Sequence, residues 1–449
     1  MLPAAFEPFV KAAPFCVMAR AALESLFAAG RLDDLFRRTA QQQYTRELLF
    51  SQLVELMTAV VLRQQPSVLA AYRHGVGNIT VSDQSVYNKL DGLELGVSAA
   101  LVHDSADRLA PVIDALQARQ TAWLPGYRVR ILDGNHLSAT QRRLLPLRDA
   151  WDAPLPGKVL AVLDQETGLA TDVFLTPDGH AQERALLADV LAVVRARDLW
   201  IADRNFCTLA FLFGLRRAKA RFVIRQHGQM EGKLLGKRRR IGRGETGVVY
   251  EQRIELRHGG RSKKFRRITV VLDKPTRDGD TEVHVLTDLP VRQAPALVVA
   301  ELYRRRWTIE GLFLEVAQTL EAEPQALAYP KAALFAFCLA LVAANAVGLL
   351  KAAVRAEHGV AAAEGLSAYY AALDIQQAHR GMMIALPAEH WAFFGTLTAA
   401  ELAAALRQMA RGIDLRRYRK TPRGPKKPAA RKAYKNGGHV STHKLLQQR

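Results

Sequence analysis

Val129-Arg130-Ile131-Leu132-Asp133-Gly134 and Leu199-Trp200-Ile201-Ala202-Asp203-Arg204 are the stretches on which the fold turns. Each is a short apolar run ending in an acid, the pattern of a buried strand whose last residue reaches a sheet edge; in the first, a glycine turn follows. Between them, Lys158 to Asp164, the turn Gln165-Glu166-Thr167-Gly168 and Leu169 to Leu175 form a hairpin. Glu183 to Arg197 then places Leu186, Leu187, Val190, Leu191 and Val194 on one helical stripe. A helix through Phe211 and Leu215 leads to the strand Arg221 to Arg225. The order strand, strand, strand, helix, strand, helix, strand predicts a mixed sheet flanked by helices. In such a sheet the first and fourth strands can be neighbours, and then both end at the same edge. Asp133 and Asp203 project from adjacent strand ends, where α/β sheets place ligands.

Working outward, residues 1–120 read as helical, with Arg20 to Phe36 and Arg46 to Leu62 carrying apolar residues at three- and four-residue spacing. Ser82 offers an N-cap for a helix through Leu90 that carries Gln84, Ser85, Asn88 and Lys89. Gln and Asn can read adenine edges, although the same residues occupy many solvent-facing helices. Residues 121–225 are the first part of the core. Residues 226–290 form a Gly- and Arg-rich insertion, with strands expected over Gly247 to Arg257, Lys264 to Asp273 and Thr281 to Asp288. Residues 291–355 hold a further helix and the rest of the core, 356–415 a helical C-terminal region, and 416–449 a basic tail poor in ordering residues.

The chain has 449 residues, 49% hydrophobic, with a net charge of +20 and a pI near 10.1. That charge points to a polyanionic partner. It is localised: residues 232–267 carry 13 Lys or Arg against three Glu, and residues 416–449 carry 12 with no acid. Two basic blocks on a near-neutral body form an electrostatic footprint. Cys16, Cys207 and Cys338 are widely spaced, which excludes a disulfide framework and a thiolate zinc site and fits a reducing cytosol. His439 and His443 lack Cys partners, so a metal reading there is weak. No secretory signal is read at Met1-Leu2-Pro3, and Glu7 and Lys11 interrupt the following apolar stretch. Ala332 to Leu350 is an uncharged run of 19 residues that approaches a spanning length. Its Ala content, Asn345 and Gly348 favour a helix buried against a sheet. A cytoplasmic protein without a membrane partner is expected.

One more stretch decides the chemistry: Leu302-Tyr303-Arg304-Arg305-Arg306-Trp307-Thr308-Ile309-Glu310. On a regular helix Tyr303, Arg306, Glu310 and position 317 fall within about 60° of one another. Arg306 and Glu310 read blandly as a surface i,i+4 pair worth roughly a few tenths of a kcal/mol. The sharper reading makes Glu310 a metal ligand one turn from a phosphate-binding arginine. Magnesium prefers a few carboxylates plus water and phosphate oxygens, and two ions about 4 Å apart clamp an in-line phosphoryl displacement. An acid at a strand end is often only a turn residue, as Asp164 in its Asp-Gln-Glu-Thr-Gly context illustrates. The joint placement of Asp133, Asp203 and Glu310 is what favours catalysis.

These residues resemble the DDE transposases of the insertion-sequence-four family, whose signature helix reads Tyr, two residues, Arg, three residues, Glu, six residues, Lys. Tyr303, Arg306 and Glu310 match that spacing, and Asp133-Gly134 and Asp203-Arg204-Asn205-Phe206 resemble the two aspartate motifs. The resemblance implies a ribonuclease-H-like α/β core, interrupted by the β-rich insertion and flanked by helical N- and C-terminal regions. It implies that Asp133, Asp203 and Glu310 hold two Mg2+ ions, with Mn2+ able to substitute, while Tyr303 and Arg306 grip DNA phosphates. The reaction implied is cut-and-paste transposition: strand cleavage at terminal inverted repeats, in this family typically through a hairpin, then strand transfer into target DNA by a homodimer. Lys89, Arg204, Arg238, Arg239 and Arg240 are further candidate contacts to double-stranded DNA.

The chain departs from the pattern twice. Ala317 stands where the signature has lysine. The insertion has no Trp to stack a flipped base, which leaves Tyr250, Phe265 or Trp307, and the last reads as core-facing. Two alternatives stay open: a transposase derivative that binds DNA without cutting, and a nuclease that never joins strands.

Overall fold

The computed structural model describes residues 2–43, 45, 47–137, 155–276, 279–324, 327, 329–421 and 440–447, with backbone alone at 314–319 and 380. The core is a mixed sheet of nine strands: β1 Arg128–His136, β2 Lys158–Asp164, β3 Ala170–Thr176, β4 Asp198–Ala202, β5 Arg221–Arg225, β6 Lys233–Arg243, β7 Gly247–His258, β8 Arg261–Leu272 and β9 Glu282–Thr287, in the order β3-β2-β1-β4-β5-β9-β8-β7-β6. β1 and β4 are parallel neighbours, from Arg128 opposite Asp198 to Leu132 opposite Ala202. The expected juxtaposition of first and fourth strands is therefore observed.

β1 does not stop at Asp133. It continues through Gly134 to His136, paired antiparallel with β2 as far as Lys158, so Gly134 lies in a strand and not in a turn. Only the pairing with β4 ends at Leu132, which leaves Asp133 one residue past that ladder. The glycine lies beneath the flexible end of a neighbouring side chain. A Cβ at position 134 would stand 2.3 Å from Oε1 of Glu183, in the 3-10 turn Glu183–Leu186. The helical stripe predicted from Glu183 to Arg197 thus resolves into that turn and the helix Leu187–Val193.

Period-two alternation gives the sheet two buried faces. Leu132, Leu160, Trp200, Ala202 and Phe222 pack beneath the helices Leu187–Val193 and Leu209–Arg217. Val129, Ile131, Leu199, Ile201 and Val223 pack with Val299, Leu302 and Ile309 on the other face. Asp133 and Asp203 share the parity of Ile131 and Ile201, so both fall on the face covered by the segment around Leu302.

The insertion is not a separate module. β9 pairs antiparallel with β5 and β8 with β9, so the basic strands extend the core sheet, and β6, unpredicted, forms its far edge. Its sequence reads Lys-Leu-Leu-Gly-Lys-Arg-Arg-Arg, too charged and too irregular to suggest a strand, and two register shifts interrupt its pairing. An arginine-bearing, bulged strand suits an exposed edge, because charge and irregularity discourage further pairing.

The apolar run becomes the helix Pro330–His358, with 89% of its most apolar window buried. It passes the length and hydropathy test for a membrane span, but its surface is consumed by packing against the helices Pro14–Leu26, Phe50–Val61, Leu95–Ala115 and Ala399–Arg411 and against β3. Helices supply most of that cover, in place of the sheet expected. Asn345 explains its own presence. It is 1% exposed, its Oδ1 accepts from the Ala170 amide at 2.8 Å, and its Nδ2 donates to Ala170 O at 2.9 Å and to Ser105 Oγ at 2.8 Å. The amide thus satisfies one residue of the edge strand on both its backbone groups.

In the N-terminal region, the continuous helix expected over Arg20 to Phe36 is two, Pro14–Leu26 and Ala29–Thr39, and Arg46 to Leu62 narrows to Phe50–Val61. Ser82 caps the helix Asp83–Gly92 as predicted, accepting from the Ser85 amide. Most of the basic tail, His439 included, lies outside the described residues. Its described end is docked: Leu155 donates its amide to Val440 O at 2.8 Å, Thr442 donates back to Leu155 O, and the Ser441 hydroxyl donates to Asp178 at 2.6 Å.

Candidate active site

Three elements deliver the carboxylates. β1 carries Asp133, the end of β4 carries Asp203, and a helical segment across the same sheet face carries Glu310. That segment is not one helix: Ala296–Arg304 is joined to Thr308–Thr319 by a 3-10 turn, Arg305–Trp307. A 3-10 turn advances about 120° per residue against 100° in an α-helix. The rotation aims Arg306 inward, 6% exposed, and leaves Trp307 67% exposed. The core-facing expectation for Trp307 is therefore overturned.

Arg306 sits between two of the acids. Its Nη1 donates to Asp133 Oδ2 at 2.6 Å and its Nη2 to Glu310 Oε1 at 2.7 Å. Tyr303, one turn earlier, donates its hydroxyl to Asp203 Oδ1 at 3.0 Å. The i,i+4 pair of Arg306 and Glu310 exists, but it is not the surface pair of the bland reading, because the guanidinium is only 7% exposed beside a half-exposed Glu310 side chain. Burial pushes the Asp133 carboxyl up to about 6, against the opposing pull of Arg306. Burial acting alone would lower the Arg306 guanidinium, yet Asp133 and its neighbours hold it above its ordinary value. Burial, with the Asp203 carboxylate adding to it, likewise raises the Tyr303 phenol and keeps it a donor. The Nε of Arg306 is buried with no acceptor, an unmet donor that costs about 1–3 kcal/mol.

Among the described residues, no group of three or more His, Cys, Asp or Glu stands close enough to cage a metal ion. The donors are nonetheless hard oxygens of the type that binds Mg2+ or Mn2+. Two of them, Asp133 and Glu310, already hold a cation, namely the Arg306 guanidinium, so two carboxylates share one positive charge while Asp203 accepts from Tyr303. The donor chemistry fits a divalent ion once the arginine moves aside.

The other candidates are dispersed. Arg204 lies 3.8 Å from Asp280, which also accepts from Arg225 Nη2 at 2.6 Å. Lys89 is half-buried, with its ammonium 4.7 Å from the Phe36 ring and its pKa lowered by burial. Arg238 lies over the Tyr250 ring at 4.1 Å and bonds Glu282 at 3.1 Å, whereas Arg239 and Arg240 are exposed along β6. Gln84 and Asn88 are exposed and bond each other at 2.9 Å. Phe265 is 2% exposed against Phe213 and Phe222, so it offers no ring for stacking. The side chain of Ala317 is outside the described set.

Two site neighbours escaped the sequence reading. Glu183 covers Gly134, and its Oε2 accepts from Asn205 Nδ2 at 3.4 Å, which ties the residue after Asp133 to the loop after Asp203. Arg225 ends β5, at the same edge as Asp203. A basic residue closing the strand beside an acid-ended strand was the available signal.

Residues 124–345 match the family profile described as "Transposase DDE domain", a span that holds Asp133, Asp203, Tyr303, Arg306 and Glu310. The chain is also similar to "Putative transposase y4zB" of Sinorhizobium fredii (strain NBRC 101917 / NGR234), at 33% identity over 127 residues, or 27% of this chain. The match spans 34% of that relative's length. Both likenesses support a DDE transposase. A solved structure, the "Cryo-EM structure of piggyBac transposase synaptic complex with hairpin DNA (SNHP)", aligns over 96% of this chain and 81% of its own at 11% identity and a TM-score of 0.40, which is too loose to bear on the fold.

Proposed function

We propose that the protein is a DNA transposase that cuts phosphodiester bonds at terminal inverted repeats and joins the freed ends to target DNA. The observation that carries the reading is the convergence of Asp133, Asp203 and Glu310, from three separate elements, on one sheet edge with a single arginine among them. In this reading the strands β3-β2-β1-β4-β5 are a ribonuclease-H-like core, extended by the four strands of the insertion, of which β6 and β8 carry most of the positive charge. Asp133, Asp203 and Glu310 would hold two Mg2+ or Mn2+ ions, which supply Lewis acidity and an activated oxygen nucleophile. The chain's own contribution is to fix the carboxylates on a rigid edge, keep Tyr303 protonated as a donor, and present an arginine fork suited to phosphate. The basic strands and tail would track duplex backbone, with affinity falling steeply as salt rises. The protein would act as a homodimer on two ends, in the bacterial cytosol.

The test is cleavage of DNA bearing the ends of the protein's own element, with Mg2+, by wild type and Asp203→Ala. Wild-type protein that leaves those ends intact sinks the proposal. Gel analysis of products separates transposition from simple nuclease action, because only strand transfer yields joints. Ala317 motivates one further arm: gain of cleavage in Ala317→Lys would favour a protein that binds ends but cuts poorly.

A further inference from the structure

We infer that Arg306 is an exchangeable latch on the carboxylate site: in the DNA-free protein its guanidinium neutralises Asp133 and Glu310, and a nucleic-acid phosphate draws it off, uncovering both acids for a divalent cation. The inference rests on the metal-dependent reading above.

The geometry carries it in three steps. The guanidinium bridges Asp133 Oδ2 at 2.6 Å and Glu310 Oε1 at 2.7 Å, using both terminal nitrogens. A divalent cation bridging the two carboxylates would take the space the guanidinium fills between them and would repel its like charge, so metal and guanidinium compete for this position. Second, the present pose leaves a donor unmet, since Arg306 Nε is buried with no acceptor. A phosphate offers several oxygens to an arginine fork and can satisfy the Nε that the two carboxylates leave bare. Third, Arg306 lies in the short 3-10 turn Arg305–Trp307, between two helical segments, so its displacement need not break a continuous α-helix. Asp203 is excluded from the exchange, because it is held by Tyr303 and not by Arg306.

The consequence is ordered occupancy. Metal binds weakly until DNA arrives, which protects a free transposase from indiscriminate metal-dependent cutting. By linkage, the factor by which DNA tightens metal is the factor by which metal tightens DNA.

The test titrates Mn2+ into the full-length protein and follows free Mn2+ by its electron paramagnetic resonance signal, with and without a short DNA duplex, corrected for Mn2+ bound by the duplex alone. In DNA-free protein, Arg306→Gln should bind Mn2+ roughly tenfold or more tightly than wild type. Duplex should tighten Mn2+ on wild type by a comparable factor and leave Arg306→Gln nearly unchanged. Equal DNA-free affinity in the two proteins overturns the latch. Asp133→Asn separates the two levels of the argument. If it abolishes Mn2+ binding by DNA-bound protein, the metal reading stands whatever Arg306 does; if it changes nothing in any state, the metal reading fails and the latch falls with it. Should circular dichroism show Arg306→Gln unfolded, Arg306→Lys replaces it, keeping the charge but not the fork. Intermediate tightening then supports the latch and none overturns it.

Discussion

The parallel strands β1 and β4 carry buried ion pairs at both ends, and the two ends are built differently. At the amino end cations and acids are interleaved, and His103 alone serves two acids. Asp198, 1% exposed, takes Arg128 at 2.6 Å; Asp164 takes Arg130 at 3.4 Å; His103 lies 3.3 Å from Asp172 and 3.2 Å from Asp107. Thr171 and Thr167 satisfy remaining polar atoms, and a cleft of about 450 Å3 opens among these balanced groups. At the carboxyl end Asp133 and Glu310 share Arg306, and Asp203 accepts from the Tyr303 hydroxyl. Paired charge distant from the acids of the proposed site reads as architecture; in the proposed function, two carboxylates sharing one guanidinium are where a cation would bind. The cleft lies at the wrong end for the chemistry, whereas an open sheet edge suits a polymeric substrate.

The comparison can be broken at either end. The largest effect should be catalytic: Asp203→Asn should lower Mg2+-dependent cleavage by more than the roughly 10–100-fold typical of residues outside the metal shell, with a chemical unfolding midpoint close to wild type. At the amino end the reverse is expected. Asp198→Ala should leave Arg128 without its buried partner and cost roughly 3 kcal/mol in denaturant unfolding, with DNA cleavage retained where the protein is folded. Activity loss without unfolding in this variant would blur the distinction.

Proton linkage gives a third contrast. The Asp133 carboxyl is raised to about 6 from 3.8, so between those values the folded protein binds more protons than the unfolded chain. Stability therefore falls as pH rises through that window, on the order of 2 kcal/mol, and Asp133→Asn should remove this slope from a pH series of unfolding curves. Fourth, Gly134→Ala would make the flexible carboxylate end of Glu183 swing aside and should cost no more than about 1 kcal/mol. The double variant with Glu183→Ala should recover most of it, which a double-mutant cycle reads directly. A comparably small effect is expected at His103, raised to about 9 chiefly by its hydrogen bond to Asp172. Its contribution is complete below about 6.5 and is lost as pH rises through 9. Because the side chain is half exposed, solvent screening limits it to about 1 kcal/mol, and His103→Gln should flatten the alkaline slope.

Much of the site was legible because it is written in local patterns. Asp133 and Asp203 each follow an apolar run, and period-two alternation then assigns their face. Tyr303, Arg306 and Glu310 sit at spacings that bring them near one another on any helix. Glu183 carries no local signature, and Arg225, a basic residue closing its strand, gains meaning only from the acid-ended strand beside it, so both were missed. Asp164 shows the same limit from the other side. It is the turn residue expected, accepting from Thr167 N and Oγ1 at 2.9 Å, but its buried pairing with Arg130 depends on which strand lies beside β2.

From residue order alone came the alternation of strands and helices, the acid closing the apolar run of each of two strands, the placement of positive charge, and the burial of the Ala-rich helix, all properties of periodicity and composition. Tertiary structure alone decided the rest: that β9 docks beside β5 and makes the basic strands part of the core sheet, that a 3-10 turn sends Arg306 inward and Trp307 outward, and that one guanidinium stands between Asp133 and Glu310. The physical reason is common to all three. Strand pairing and ion pairing are contacts between distant residues, selected by which arrangement buries the most apolar surface and leaves the fewest charges unpaired, and no window of sequence contains that choice.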